Sequence, residues 1–164
     1  MFITYADDST KACVFTCPFA PSLYGDNSTN KCVLNCPSLS YGDNDTRLCL
    51  STCFFGISFN SIMTYTFADN STNFCVATCP ENSWADNYTY ACVTVCTDGT
   101  FADDSTWKCV HMCPANPVSY AYQLTKKCLY SCPGSYLASE VGRQCMLKSC
   151  PIIPYFYYQD LINN

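Results

Sequence analysis

Sixteen cysteines stand in this chain of 164 residues, and they fall into eight close pairs. Seven pairs are spaced C-x3-C, and the last, Cys145 and Cys150, is C-x4-C. Thiols so placed support two chemistries, metal ligation and disulfide cross-linking. Zinc ribbons favour C-x2-C and a reducing compartment, and many zinc sites add histidine. His111 is the single histidine here, so zinc is not expected. A cysteine content of about 10% instead marks a disulfide scaffold of the oxidising, extracellular kind. The even count suits a closed framework.

Other reactive groups lead to weaker chemistry. His111 sits in "CVHMC" between Cys109 and Cys113, where a base beside a nucleophilic thiol is conceivable. In an oxidised ladder both thiols are spent, and the histidine reads as a packed or surface residue. No paired-carboxylate cleft, Ser/His/Asp order or phosphate-cradling glycine loop accompanies it, and no enzyme is expected. Asp7-Asp8 and Asp103-Asp104 would suit calcium only with six to eight oxygens around the ion, and turn formation explains the same acids more simply. No cofactor is expected beyond N-linked glycans. The net charge of −5, with eight Lys plus Arg, offers no basic stripe for nucleic acid or an anionic membrane. No apolar run reaches the roughly 20 residues of a membrane span, and "QDLINN" is not a hydrophobic anchor signal. "MFITYADDST" lacks the form of a secretory leader, so a processed product or a fragment is expected.

The elements that hold these cysteines emerge on aligning the pairs. The leading members are Cys13, Cys32, Cys49, Cys75, Cys92, Cys109, Cys128 and Cys145, with steps of 19, 17, 26, 17, 17, 19 and 17 residues. Eight residues before each stands Tyr5, Tyr24, Tyr41, Phe67, Trp84, Phe101, Tyr120 or Leu137, always followed by Ala or Gly. Thr10, Thr29, Thr46, Thr72, Thr89, Thr106 and Thr125 hold the third place before the cysteine. The consensus is [YFW]-[AG]-D-[DN]-x-T-x-x-C-[VLM]-x-x-C-P, an internal repeat in eight copies.

An aromatic, a small residue and an Asp, then Asp or Asn, then a β-branched segment, reads as strand, tight turn and strand. Asp and Asn favour such turns because their side chains bond nearby N–H groups and tolerate positive φ. A finger of about 17 residues cannot bury a core of its own, so disulfides must contribute, at roughly 3 kcal/mol for a loop of about 15 residues. The predicted fold is a small disulfide-rich, mostly β protein with little helix: an elongated, solenoid-like rod of about eight stacked β-hairpin fingers, neighbour touching neighbour. The organisation expected is a half finger at 1–17, complete fingers over 17–145 and a C-terminal strand and tail at 146–164.

The run "CVFTCPFAPSLYGDNSTNKCVLNCP" resembles the cysteine-rich repeats of ciliate-type protist surface proteins, and through them the furin-like repeats of growth-factor receptors. The resemblance spans Tyr5 to Pro151. It implies an extracellular, disulfide-laddered rod and supplies no catalytic residue. Two departures stand out: "CFFGISFNSIMTYTFADNSTNFC" lengthens one finger by nine residues, and "CMLKSC" widens the last pair.

The turns carry four N-x-T acceptors, at Asn27, Asn44, Asn70 and Asn87. Twelve asparagines would give roughly two such triplets by chance. The Thr persists where Asp8 or Asp104 replaces Asn, so the turn comes first and Asn adds a glycan site to it. All four are expected to be occupied in a secreted chain.

Connectivity cannot be read from cysteine positions alone. One ladder bonds the second cysteine of each pair to the first of the next: Cys17–Cys32, Cys36–Cys49, Cys53–Cys75, Cys79–Cys92, Cys96–Cys109, Cys113–Cys128 and Cys132–Cys145. It leaves Cys13 and Cys150 single and available to link subunits. The other joins first to third and second to fourth, from Cys13–Cys32 and Cys17–Cys36 through Cys132–Cys150. The sequential ladder is the favoured expectation, because its bridges span the base of a hairpin, where strands lie close enough.

The ends read as complementary half repeats, with "IIPYFYY" able to add a strand beside "MFITY". The lengthened finger carries Phe54, Phe55, Ile57, Phe59, Ile62, Met63, Tyr65 and Phe67, too many apolar residues for a thin rod to bury. Phe54, Phe55, Phe59, Tyr155, Phe156, Tyr157 and Tyr158 are thus candidate assembly contacts. The function expected is a structural subunit of an extracellular glycosylated fibre or coat, polymerising with itself head to tail. The alternative is a ligand-binding or adhesive ectodomain fragment of a receptor-like surface protein.

Overall fold

The computed structural model of the chain describes residues 3–53, 56–57 and 63–148. Each copy of the repeat folds as two short antiparallel strands. In chain order these are Tyr5–Asp7 (β1) and Ala12–Val14 (β2), Tyr24–Asp26 (β3) and Lys31–Val33 (β4), and Tyr41–Asp43 (β5) and Leu48–Leu50 (β6). Gly56–Ile57 (β7) and Met63–Thr64 (β8) form a small hairpin of their own within the lengthened finger. The repeat resumes with Phe67–Asp69 (β9) and Phe74–Val76 (β10), Trp84–Asp86 (β11) and Ala91–Val93 (β12), and Phe101–Asp103 (β13) and Lys108–Val110 (β14). Tyr120–Tyr122 (β15) with Lys127–Leu129 (β16), and Tyr136–Ser139 (β17) with Gln144–Leu147 (β18), complete it. Among the described residues there is no helix, and sixteen of these strands form one open sheet. The molecule is a small disulfide-rich, mostly β rod of stacked hairpins.

The small residue after the aromatic faces the lead cysteine in every hairpin, as Ala6 faces Cys13 and Gly25 faces Cys32. The first strand of one hairpin then lies parallel to the second strand of the next, with Ala6 opposite Lys31, Gly25 opposite Leu48 and Ala121 opposite Gln144. A backbone hydrogen bond of one kind recurs at each junction. The N–H of Ala6, Gly25, Gly42, Ala68, Ala85, Ala102 and Ala121 donates to the carbonyl of Asn30, Arg47, Asn73, Tyr90, Trp107, Lys126 and Arg143 respectively, at 2.7–2.9 Å.

These acceptors all lie in the left-handed region, with φ between 46° and 59°. That differs from the sequence reading, which linked positive φ to the Asp and Asn of the turn. The Asp is the last residue of the first strand, and the left-handed residue comes four places later, where it closes the loop. Small side chains keep the junction narrow. A Cβ on Gly25 would lie 2.7 Å from the Tyr5 ring, so the aromatic of one hairpin rests against the small residue of the next.

The core is divided among these junctions. Trp84 packs with Ala102, Cys96 and Cys109 of the following hairpin, and Phe101 packs in the same way with Ala121, Cys113 and Cys128. Tyr5, Tyr24, Phe67, Trp84, Phe101 and Tyr120 are all buried. Phe67, counted from sequence among residues too many to bury, is therefore a core residue: the repeat register carries it into the junction.

Seven disulfides follow the sequential ladder: Cys17–Cys32, Cys36–Cys49, Cys53–Cys75, Cys79–Cys92, Cys96–Cys109, Cys113–Cys128 and Cys132–Cys145, with Cα separations of 5.4–5.6 Å. Each ties the loop entering a hairpin to that hairpin's second strand. The segment 1–17, read as a half finger, holds a full hairpin in β1 and β2, because turn and strand hydrogen bonds close it without a bridge. Where the cysteine step is 19, the extra residues enlarge the loops that hold the cis peptides Ala20-Pro21 and Asn116-Pro117.

Candidate functional site

The repeat turns form a row along the rod, and in the first six copies each turn is built on a buried carboxylate, the Asp two places after the aromatic. Asp26 Oδ1 accepts from the Ser28 N–H at 2.9 Å and the Ser28 hydroxyl at 2.8 Å, while Oδ2 accepts from the Thr29 hydroxyl at 2.6 Å. Asp7, Asp69 and Asp103 repeat this with Ser9 and Thr10, Ser71 and Thr72, and Ser105 and Thr106. Asp43 is held by the N–H and hydroxyl of Thr46, and Asp86 by the Tyr88 N–H and the Thr89 hydroxyl. All six carboxylates are buried. A buried charge persists only when hydrogen-bonded, and these bonds favour the ionised form.

Hydrogen bonds from Thr10 and Ser9 hold Asp7 below the ordinary carboxylate range. Burial by itself would raise Asp26 and Asp69; the Thr29 and Ser28 bonds, and the Thr72 and Ser71 bonds, outweigh it and leave both lowered. The Thr of every N-x-T triplet thus serves its Asp first. A sequon arises wherever the residue after that Asp is Asn.

A second relationship explains why either Asp or Asn stands at the fourth position of the consensus. The hydroxyl of Tyr5 donates to Asn27 Oδ1 at 2.5 Å, that of Tyr24 to Asn44 at 2.7 Å, and that of Tyr41 to Asn70 at 2.6 Å. Trp84 Nε1 donates to Asp104 at 3.0 Å, and Tyr120 to Glu140 at 2.7 Å. Where the aromatic is Tyr or Trp it therefore binds the fourth residue of the next hairpin, and that residue must only accept; Asn, Asp and Glu all do. The sequence reading missed this row. Its signal was the pairing of a donor aromatic with a polar acceptor one copy later.

Asn27, Asn44, Asn70 and Asn87 are all exposed at the turns. Asn87 differs from the others because the aromatic of the preceding hairpin is Phe67, which has no hydroxyl. It borders a groove of about 480 Å³ lined by Tyr65, Phe67, Ala77, Tyr90 and Lys108.

Among the described residues no group of three or more His, Cys, Asp and Glu could hold a metal. His111 is exposed and lies edge-on to Tyr88 with ring centroids 5.6 Å apart, its Nδ1 3.3 Å from the Gly99 carbonyl. Its neighbours Cys109 and Cys113 are bonded to Cys96 and Cys128. Cys13 is a free, exposed thiol on β2. Cys150 and the candidate contacts Phe54, Phe55, Phe59, Tyr155, Phe156, Tyr157 and Tyr158 lie outside the described residues.

Fold and turn row together define a disulfide-laddered β-hairpin repeat protein, with the disulfide content of a secreted chain. Comparison with family models, with characterised proteins and with solved structures finds no match.

Proposed function

We propose that the chain is a structural subunit of an extracellular, N-glycosylated fibre or surface coat, in which the hairpin ladder runs on from one copy into the next. The observation that carries this reading is that, among the described residues, the two edges of the sheet display opposite halves of the interior junction. On β17, Leu137 is 57% exposed, where Tyr24, Phe67, Trp84 and Phe101 at the same place are buried. Beside β2, Ala6 is exposed, where Gly25, Gly42, Ala68, Ala85, Ala102 and Ala121 are buried. Lys11 has the left-handed φ, 56°, of the seven junction acceptors.

Setting β17 of one copy against β2 of the next would bring the Ala138 N–H to the Lys11 carbonyl and Leu137 over Ala6. A junction of this kind joins unlike faces, so it repeats in one direction and makes an open filament by strand addition. Cys13 stands on that same edge, at the place where every later lead cysteine is bridged. The exposed Asn27, Asn44, Asn70 and Asn87 would carry the glycans. Kinship with ciliate-type cysteine-rich surface repeats belongs to the same proposal and rests on the repeat signature.

Sedimentation of the unreduced protein over a range of concentrations, with electron microscopy of the native secreted material, tests the reading. Filaments or a concentration-dependent ladder of oligomers is expected. Ala6→Glu with Leu137→Glu, which places charge on both edges, should return the material to monomer with its disulfides intact. A monomer at every concentration overturns the fibre and leaves the receptor-like ectodomain.

A further inference from the structure

Asn87 borders an aromatic groove and lacks the tyrosine contact made by the other three sequons, and we propose that the inner sugars of its glycan lie in that groove. This rests on the reading of the chain as an N-glycoprotein. Asn27, Asn44 and Asn70 each have Oδ1 held by a tyrosine hydroxyl of the preceding hairpin. Phe67 occupies the corresponding place before Asn87 and donates nothing. The Asn87 carboxamide has no side-chain hydrogen bond among the described residues.

The groove suits a sugar. Its volume of about 480 Å³ falls within the range of small-molecule sites, which combine apolar walls with a few polar groups. Tyr65, 55% exposed, and the half-buried Tyr90 supply ring surface for the C–H face of an N-acetylhexosamine above the buried Phe67, and the exposed Lys108 supplies a donor for its hydroxyl or acetamido oxygens. Asn27 and Asn70 also border grooves, but these are lined largely by Ser, Pro, Asp, Glu and small aliphatic side chains and carry no aromatic ring. Attachment itself places the sugar at the groove wall. The Asn87 Nδ2 bonds to the anomeric carbon of the first sugar, the lipid pyrophosphate that carried the oligosaccharide departs, and the amide proton goes to solvent. The tether raises the effective concentration of sugar beside the rings, so even a weak stacking contact is populated.

The test is the rate at which N-glycosidase releases each glycan from the native, unreduced glycoprotein, read as Asn-to-Asp conversion by peptide mass spectrometry. A groove-held glycan is cleaved only after it leaves its site, so release at Asn87 is expected to be at least about tenfold slower than at Asn27, Asn44 and Asn70. Tyr65→Ala should bring Asn87 to the rate of the others without changing its occupancy. Equal rates at all four sites in the unaltered protein, or retardation that survives both Tyr65→Ala and Lys108→Ala, overturns the groove. Absence of glycan at all four asparagines is a different result: it removes the N-glycoprotein reading and this proposal with it.

Discussion

The hydroxyl of Tyr24 lies 2.7 Å from Oδ1 of Asn44 and so joins one hairpin to the next through side chains, beside the backbone bond from Gly25 to Arg47. An N-linked sugar attaches through Nδ2, so Oδ1 stays available and the contact is compatible with glycosylation. Asn44→Asp should keep the contact and lose the sugar, with stability changed by less than about 0.5 kcal/mol beyond the glycan's own effect. Asn44→Ala should cost about 1 kcal/mol, the net worth of one such bond. Denaturant unfolding of these variants alone and with Tyr24→Phe gives the coupling. A cycle that closes to zero would show the contact to be energetically idle.

Thr106 isolates the turn from any effect of sugar, because Asp104 occupies the acceptor place in that copy. Its hydroxyl lies 2.6 Å from Asp103 Oδ2. Thr106→Val keeps the β-branched shape and leaves a buried carboxylate short of one donor, which costs about 1–3 kcal/mol. Hydrogen exchange should show the loss at residues 101–110 and their immediate neighbours. Unchanged protection there would mean that the Ser105 bonds alone suffice.

Asp26 and Asp69 make the rod sensitive to acid. Their carboxyls lie below the ordinary value of 3.8 when folded, so folding binds fewer protons than unfolding in that range. The sign follows: the contribution is complete above the unfolded value and is lost as pH falls through the lowered folded values. The thermal midpoint should be flat down to about pH 5 and decline below about pH 4. Asp26→Asn combined with Asp69→Asn should flatten that decline from a lower starting point. A midpoint unchanged to about pH 2 would contradict the assignment.

Register was legible because cysteine spacing carries it, whereas the spacing left two disulfide ladders open. Once Cys13 through Cys145 align, the strands at Tyr5, Tyr24 and Phe101 fall into place, and base-of-hairpin geometry favours Cys17 meeting Cys32. The left-handed residue was not legible. Lys11, Asn30, Arg47, Asn73, Tyr90, Trp107, Lys126 and Arg143 share a conformation but no side-chain chemistry. What they share is a carbonyl in a junction or, for Lys11, at its open edge, and a carbonyl leaves no mark in the sequence. The bond from Tyr5 to Asn27 was hidden for a related reason, since it links two copies and each copy reads alone as an ordinary turn.

Arg47 supplies a sharper test of how far stability travels along the rod. It is buried, and its Nη2 donates to the carbonyls of Pro18 at 3.0 Å and Leu23 at 2.6 Å. Its guanidinium stacks 4.8 Å from the Phe19 ring centroid and 4.4 Å from that of Tyr24, and its buried Nε has no partner among the described residues. A turn residue of the third hairpin thus holds the loop that enters the second. Lys126 reaches back in the same way to the Cys96 carbonyl and to Asp98, so the device recurs with a different cation. Lysine cannot reproduce the planar fork or the stacking at Arg47. Arg47→Lys should therefore cost about 1–3 kcal/mol through poorly paired carbonyls. Because each hairpin of the described sheet pairs with its neighbours in the ladder, the cost should stay local. Amide protection should fall across residues 18–25 and 41–50 and stay constant across 101–128. An equal fall in both regions would mean that the disulfides have fused the ladder into one cooperative unit, and the neighbour-only account of its stability would have to be abandoned.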